Sequence, residues 1–166
     1  MTLHYGWKQA STQEKNVIEK LVGRLTLNGY KVHTVGSRKI KNGWSPIDSD
    51  FDFLVPVINK TEEHFVKGML KRNGFEEGGS DVPQSSFSSY KRGNFNFIIT
   101  WGDETQQFLA AQELVESLSI AGKADRIKVF DFLRGGTFTS FNGEEVPVVS
   151  EEDYEKVINK YSSSQG

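Results

Sequence analysis

Two short segments constrain this chain more than any others. In Val35-Gly36-Ser37-Arg38 a strand-like run ends in a Gly-Ser turn. In Ser49-Asp50-Phe51-Asp52-Phe53-Leu54-Val55 a second strand-like run opens with two carboxylates two residues apart. Side chains at i and i+2 of a strand share a face, roughly 6–7 Å apart. Carboxylates so placed repel each other unless a cation joins them. Mg²⁺ suits the position, because it takes one or two carboxylates and completes its shell with phosphate oxygens. A Gly-Ser turn beside them offers backbone N–H groups and a hydroxyl to phosphate. The pattern predicts a metal and nucleotide site where turn and carboxylates meet. A calcium loop starting at Asp48 is excluded, because its sixth and twelfth positions hold Phe53 and Asn59 instead of Gly and Glu.

The flanking sequence supplies elements to hold such a site. Ser11-Thr12-Gln13-Glu14 is a capping box. Val17, Ile18, Leu21, Val22 and Leu25 follow at helical spacing, and Asn28-Gly29 ends that helix. Tyr30 to Val35 reads as a strand, and Arg38 to Ser49 as a loop marked by Asn42-Gly43 and Pro46. In the next strand, Phe51 to Val57, Phe51, Phe53 and Val55 take one face, and Asp50, Asp52 and Leu54 the other. Apolar residues on both faces mark a mostly buried strand. Thr61 is placed to cap a helix carrying Phe65, Val66, Met69 and Leu70, which Gly74 ends. Glu76 to Ser86 reads as a mobile loop. Phe87 to Lys91 and Phe95 to Thr100 read as a hairpin around Arg92-Gly93-Asn94.

The last third turns helical. Asp103 is placed to cap a helix with Phe108, Leu109, Leu114, Val115 and Leu118 as its stripe. Gly122 separates it from a second helix over Ile127 to Leu133, closed by Gly135-Gly136. A turn or short hairpin surrounds Asn142-Gly143, and Ser150 opens a last short helix. The order implies an α+β fold, a small mixed sheet with helices on one face and a helical C-terminal part. The expected organisation is a core over 1–101, a helical extension packed on it over 102–161, and a disordered tail over 162–166.

Composition removes several function classes. The 166 residues include no cysteine, so disulfides, thiolate metal sites and cysteine nucleophiles are excluded. A net charge of −2 asks for no nucleic acid or anionic membrane. No apolar run reaches the ~18–20 residues of a membrane span. The N-terminus lacks the apolar core of a signal peptide, so a soluble cytoplasmic protein is expected. His4, His33 and His64 lack metal-ligand spacing. No base pattern near Ser37 would make it a nucleophile.

Gly36-Ser37, the spacer and Asp50-x-Asp52 together resemble the DNA polymerase β-type nucleotidyltransferase superfamily. The likeness is greatest to its small single-domain members, including those encoded by tailed phages, and spans residues 12–101. The resemblance implies transfer of a nucleoside monophosphate from an NTP, with release of pyrophosphate, by two-metal chemistry. It implies that Gly36 and Ser37 hold the triphosphate and that Asp50 and Asp52 hold Mg²⁺ or Mn²⁺. Arg38, Lys39 or Lys41 would neutralise departing pyrophosphate. For a phage-encoded protein the location would be the host cytoplasm. The family usually has a third carboxylate on a later strand, and the matching position here is Asn96, with Asn94 the other choice. Asparagine offers one neutral oxygen and no base. Asp103 is the other nearby carboxylate.

Three readings follow. One is a nucleotidyltransferase acting on an RNA, protein or small-molecule acceptor. The other is a weak or inactive relative that binds a nucleotide or a protein partner through the same cleft. A third places the work in the helices after Asp103, where Lys123, Arg126, Lys128 and Arg134 give a basic aspect. Trp101 is placed either to stack on a base or to pack the core. Oligomeric state has no signal in the sequence.

Overall fold

The strand β2 (Phe51–Val57) is apolar on both faces beyond its carboxylates, so it must lie in the middle of a covered sheet. Phe51, Phe53, Leu54, Val55 and Val57 are each at most 1% exposed. The structure is a computed structural model that describes residues 4–41, 43–44, 49–78, 88–117, 122, 137–139 and 145–147. Around β2 lie β1 (His33–Val35), β3 (Glu76–Gly78), β4 (Ser88–Arg92) and β5 (Phe95–Trp101). The sheet order is β1-β2-β5-β4-β3. β2 and β5 run parallel, while the other neighbours are antiparallel. This is the mixed sheet the sequence implies.

Two helices, α1 (Thr12–Leu27) and α2 (Lys60–Arg72), bury their stripes on one face. Ile18, Leu21 and Leu25 of α1 and Val66, Met69 and Leu70 of α2 meet Phe51, Phe53, Phe95 and Phe97 of the sheet. The parallel register sets Phe51 beside Phe95 and Phe53 beside Phe97, stacked at 5.4 and 4.8 Å. A third helix, α3 (Gly102–Ser117), opens the C-terminal part and covers half of the opposite face. Its Phe108 packs on Val35, Leu54 and Ile98. Thr100 and Thr105, bonded at 2.8 Å, pin the start of α3 to the end of β5.

The capping box forms as the sequence predicts, with Glu14 N–H donating to Ser11 Oγ at 3.2 Å. Several boundaries differ. Asn59, not Thr61, caps α2: Glu62 N–H donates to Asn59 Oδ1 at 2.8 Å, and Glu62 Oε1 accepts from Ile58 N–H at 3.0 Å. Asn-x-x-Glu is itself a capping pair, and it starts the helix two residues earlier. β1 begins at His33, because Tyr30 stacks on Phe65 at 5.8 Å instead of entering the ladder. Glu76–Gly78 is not loop but an edge strand paired with β4, where the open ladder outweighs poor strand propensity. α3 begins at Gly102, so Asp103 lies inside its first turn and does not cap it. Beyond it, β6 (Thr137–Thr139) and β7 (Glu145–Pro147) pair antiparallel, giving the expected hairpin. The helices expected over Ile127–Leu133 and after Ser150, and the tail over 162–166, lie outside the described residues.

Candidate nucleotide-binding site

Gly36 leaves β1 with φ 89° and ψ −171°, a backbone that side chains rarely adopt. The register gives the reason. Val35 is the last residue of β1 and lies opposite Asp52, so the next residue must turn over the Asp52 side chain. A Cβ on Gly36 would sit against the Asp52 carboxylate, with Cγ at 2.8 Å. Ser37–Lys39 then forms one 3-10 turn, where the sequence carries no helical pattern. Turn and carboxylate meet as the two segments require.

The neighbouring strands complete a polar band. Asn96 lies opposite Asp52 and donates Nδ2–H to Asp52 Oδ1 at 2.9 Å. Ser89 Oγ–H donates to Asn96 Oδ1 at 2.7 Å. Asp50 accepts from Lys91 Nζ at 2.7 Å. Lys91 reaches it because the ladder sets Lys91 opposite Asn96. The sheet face is thus split, with α3 over its apolar half and Asp50, Asp52, Asn96, Ser89 and Lys91 on the other.

Three buried groups hold this geometry, and the sequence singled out only one. Gln112 of α3 brackets the Gly36 peptide, accepting from its N–H at 2.9 Å and donating to its carbonyl at 3.2 Å. His4 donates Nε2–H to the carbonyls of Asp52 at 2.6 Å and Val35 at 3.2 Å. Burial among Trp7, Phe51 and Phe53 pushes its pKa down to about 4, so the ring is neutral. Nδ1 is buried with no hydrogen-bond partner among the described residues.

Arg38 is the third, in a role other than the expected phosphate clamp. It is 3% exposed, and it donates to the carbonyls of Ser49 at 3.1 Å and Tyr5 at 3.0 Å. Its guanidinium lies over the rings of Phe51 at 4.0 Å and Trp44 at 4.8 Å. Phe51 points to the α1/α2 face, so the cation is engaged on the side of the sheet away from the carboxylates. Burial lowers its pKa, and the charges of Asp50 and Asp52 pull it back up.

Lys39 lines a cleft of about 360 Å³ between β1 and α3, with His33, Gln112, Glu113 and Glu116. Burial raises the Glu116 carboxyl, and Lys39 draws it back down. Lys41 is exposed, and Trp101 packs against the core. Lys123, Arg126, Lys128 and Arg134 lie outside the described residues.

Among the described residues no group of three or more His, Asp or Glu side chains is set to hold a metal ion. The Asp50 and Asp52 carboxylates still fit a cation that carries phosphate ligands of its own, because Mg²⁺ needs only one or two protein carboxylates in that case, whereas Asn96 turns its NH2 to Asp52 and its oxygen to Ser89. No helix among the described residues is long and apolar enough to cross a membrane.

No protein-family model matches the chain, and no curated protein matches it. Solved structures do. The conserved protein GrpB from Enterococcus faecalis matches with a TM-score of 0.51 at 17% identity, over 95% of this chain and 97% of that one. Cid1 in complex with the UTP analog UMPNPP matches at 0.44 and 16% identity, over 77% of this chain and 38% of that one. A cytoplasmic RNA terminal U-transferase matches at 0.45 and 14% identity, over 77% and 39%. At such identities the likeness is one of fold. The chain has a mixed α+β, nucleotidyltransferase-like fold.

Proposed function

We propose that this chain binds an NTP with its divalent cation between the Gly36-Ser37 turn and Asp50/Asp52, and transfers the NMP to an acceptor hydroxyl. The observation that carries the reading is Gly36. Its missing Cβ is the space taken by the Asp52 carboxylate, so the turn and the carboxylate meet within contact distance. Ser37 supplies a hydroxyl and, at the start of the 3-10 turn, an N–H for phosphate oxygens. Lys39 adds positive charge on the neighbouring side. Arg38 acts indirectly, by fixing the turn against Tyr5 and Ser49. Asp50 and Asp52 would hold Mg²⁺ or Mn²⁺, which supplies charge to the phosphates when bound.

In the transfer, the acceptor oxygen bonds to the α-phosphorus and the bond to the bridging α–β oxygen breaks. Pyrophosphate leaves with that electron pair. The hydroxyl proton passes to water, because Asn96 cannot accept it. Positioning and charge neutralisation carry most of such a reaction.

One observation favours the second reading, a nucleotide-binding relative without turnover. Asn96 is held between Asp52 and Ser89 where the superfamily usually has a carboxylate. Label transfer from each α-³²P-labelled NTP into host-cell lysate, with Mg²⁺ or Mn²⁺, separates the two. Label on RNA, protein or a small molecule that vanishes in Asp50→Ala/Asp52→Ala supports the transferase and identifies the acceptor class. No transfer, with NTP binding retained, supports the binder. Neither binding nor transfer refutes both.

A further inference from the structure

We propose that Lys91 takes the place of a second divalent cation at this site, so that the nucleotide brings one ion and the protein supplies the remaining positive charge. The inference rests on the nucleotide-binding reading above. Two-metal sites place their ions about 3.5–4 Å apart and bridge them with shared oxygen ligands. The polar band here is built differently. Asp50 Oδ2 lies 2.7 Å from Lys91 Nζ, so one of the two carboxylates already has a cation in contact. Asp52 Oδ1 accepts from the Asn96 amide. Two carboxylates and one ammonium leave a net charge of −1. A third carboxylate at position 96 with a neutral residue at 91 would make it −3.

The backbone makes the placement of Lys91 a property of the fold. Gly93, with φ 59°, turns the chain between β4 and β5, and the ladder then sets Lys91 opposite Asn96. Asn96 is opposite Asp52. Side chains in register across adjacent strands share a face, so lysine, asparagine and aspartate form one row. A second dication entering beside Asp50 would have to displace the ammonium from its carboxylate. An ammonium offers three N–H donors and no coordination position. It would therefore orient an incoming oxygen by hydrogen bonding.

The test counts ions and does not depend on turnover. The full chain is saturated with a non-hydrolysable NTP analogue and titrated with Mn²⁺ under electron paramagnetic resonance. Equilibrium dialysis measures analogue binding in parallel. Wild type is expected to hold one Mn²⁺ per bound nucleotide, and Lys91→Met/Asn96→Asp to hold two. Two ions in wild type overturn the proposal. One ion in both proteins also overturns it, because Lys91 and Asn96 then do not exclude the second. Lys91→Gln alone keeps the test open if the double variant fails to fold: with the ammonium gone, a second, weaker Mn²⁺ is expected to bind per nucleotide at high Mn²⁺, and a single ion at every concentration overturns the proposal. Absence of analogue binding in wild type, read by dialysis, instead refutes the nucleotide reading and takes this inference with it.

Discussion

Replacing Gly36 by alanine tests the contact on which the site is built. The first cost is conformational: an alanine held at φ 89° carries about 1–3 kcal/mol of backbone strain. The second is steric. The new Cβ would overlap the Asp52 carboxylate, whose Cγ at 2.8 Å and Cβ at 2.9 Å cannot both retreat without moving β2. The carboxylate would swing away and lose its hydrogen bond from Asn96, and a bond to a charged group contributes about 1.5–3 kcal/mol. Together Gly36→Ala is expected to cost about 2.5–6 kcal/mol. For a chain of this size each kcal/mol lowers Tm by about 2–4 °C, so the drop is about 5–24 °C. Urea and thermal unfolding followed by circular dichroism read both values. In an Asp52→Ala background the second cost has already gone, so the double-mutant cycle is expected to show coupling of about 2 kcal/mol. Gly23→Ala is the control: it lies exposed in α1 with nothing within 4 Å of the added Cβ, and is expected to stabilise by about 0.5–1 kcal/mol. A Gly36→Ala cost under about 1 kcal/mol, with no coupling to position 52, would refute the close approach of turn and carboxylate.

Three further predictions concern the groups around that contact. His4 sits at about 4 in the folded chain against 6.5 unfolded, so the unfolded chain binds more protons between those values. Its contribution is complete above pH 6.5, falls as pH drops from 6.5 to 4, and amounts to about 3 kcal/mol at 1.36 kcal/mol per pKa unit. His33, lowered by burial, adds in the same sense. Urea midpoints measured from pH 7 to pH 4 should fall in wild type and flatten in His4→Gln, and equal slopes would contradict the assignment. Asn96→Asp sets a third carboxylate beside Asp52, so its Tm in EDTA should fall below wild type and recover with Mn²⁺ more than wild type does. Gln112→Ala strips both polar groups of the Gly36 peptide of their partner, at about 1–3 kcal/mol for each one left unsatisfied. Calorimetry showing a loss below about 1 kcal/mol would mean that water replaces the amide without cost.

What the sequence made legible here was chemistry carried by local pattern. The capping box of α1 and the two-faced burial of β2 depend on residues a few positions apart, where periodicity and steric rules act directly, and the Gly-Ser turn meets Asp52 across one short loop. Lys91 was within reach of the same reasoning. The Gly93-Asn94 turn fixes the hairpin register, and counting back from it sets Lys91 opposite Asn96. Arg38 misled because a basic residue beside a phosphate-type turn has two good destinations, and only the tertiary fold brings Tyr5, Ser49, Trp44 and Phe51 around it. His4 and Gln112 had no local signal at all. His4 reaches the Asp52 carbonyl across 48 residues, and Gln112 reaches the Gly36 peptide across 76. Both bond to main chain, so neither partner's side chain leaves a mark in the sequence. The turn proposed to hold phosphate needs its peptide held still, and a buried imidazole and a buried amide hold it from opposite faces of the sheet. On the proposed nucleotide-binding reading, substitutions at positions 4 and 112 should therefore disturb binding as surely as substitutions at 50 and 52, although nothing in their own neighbourhoods in the sequence points to a site.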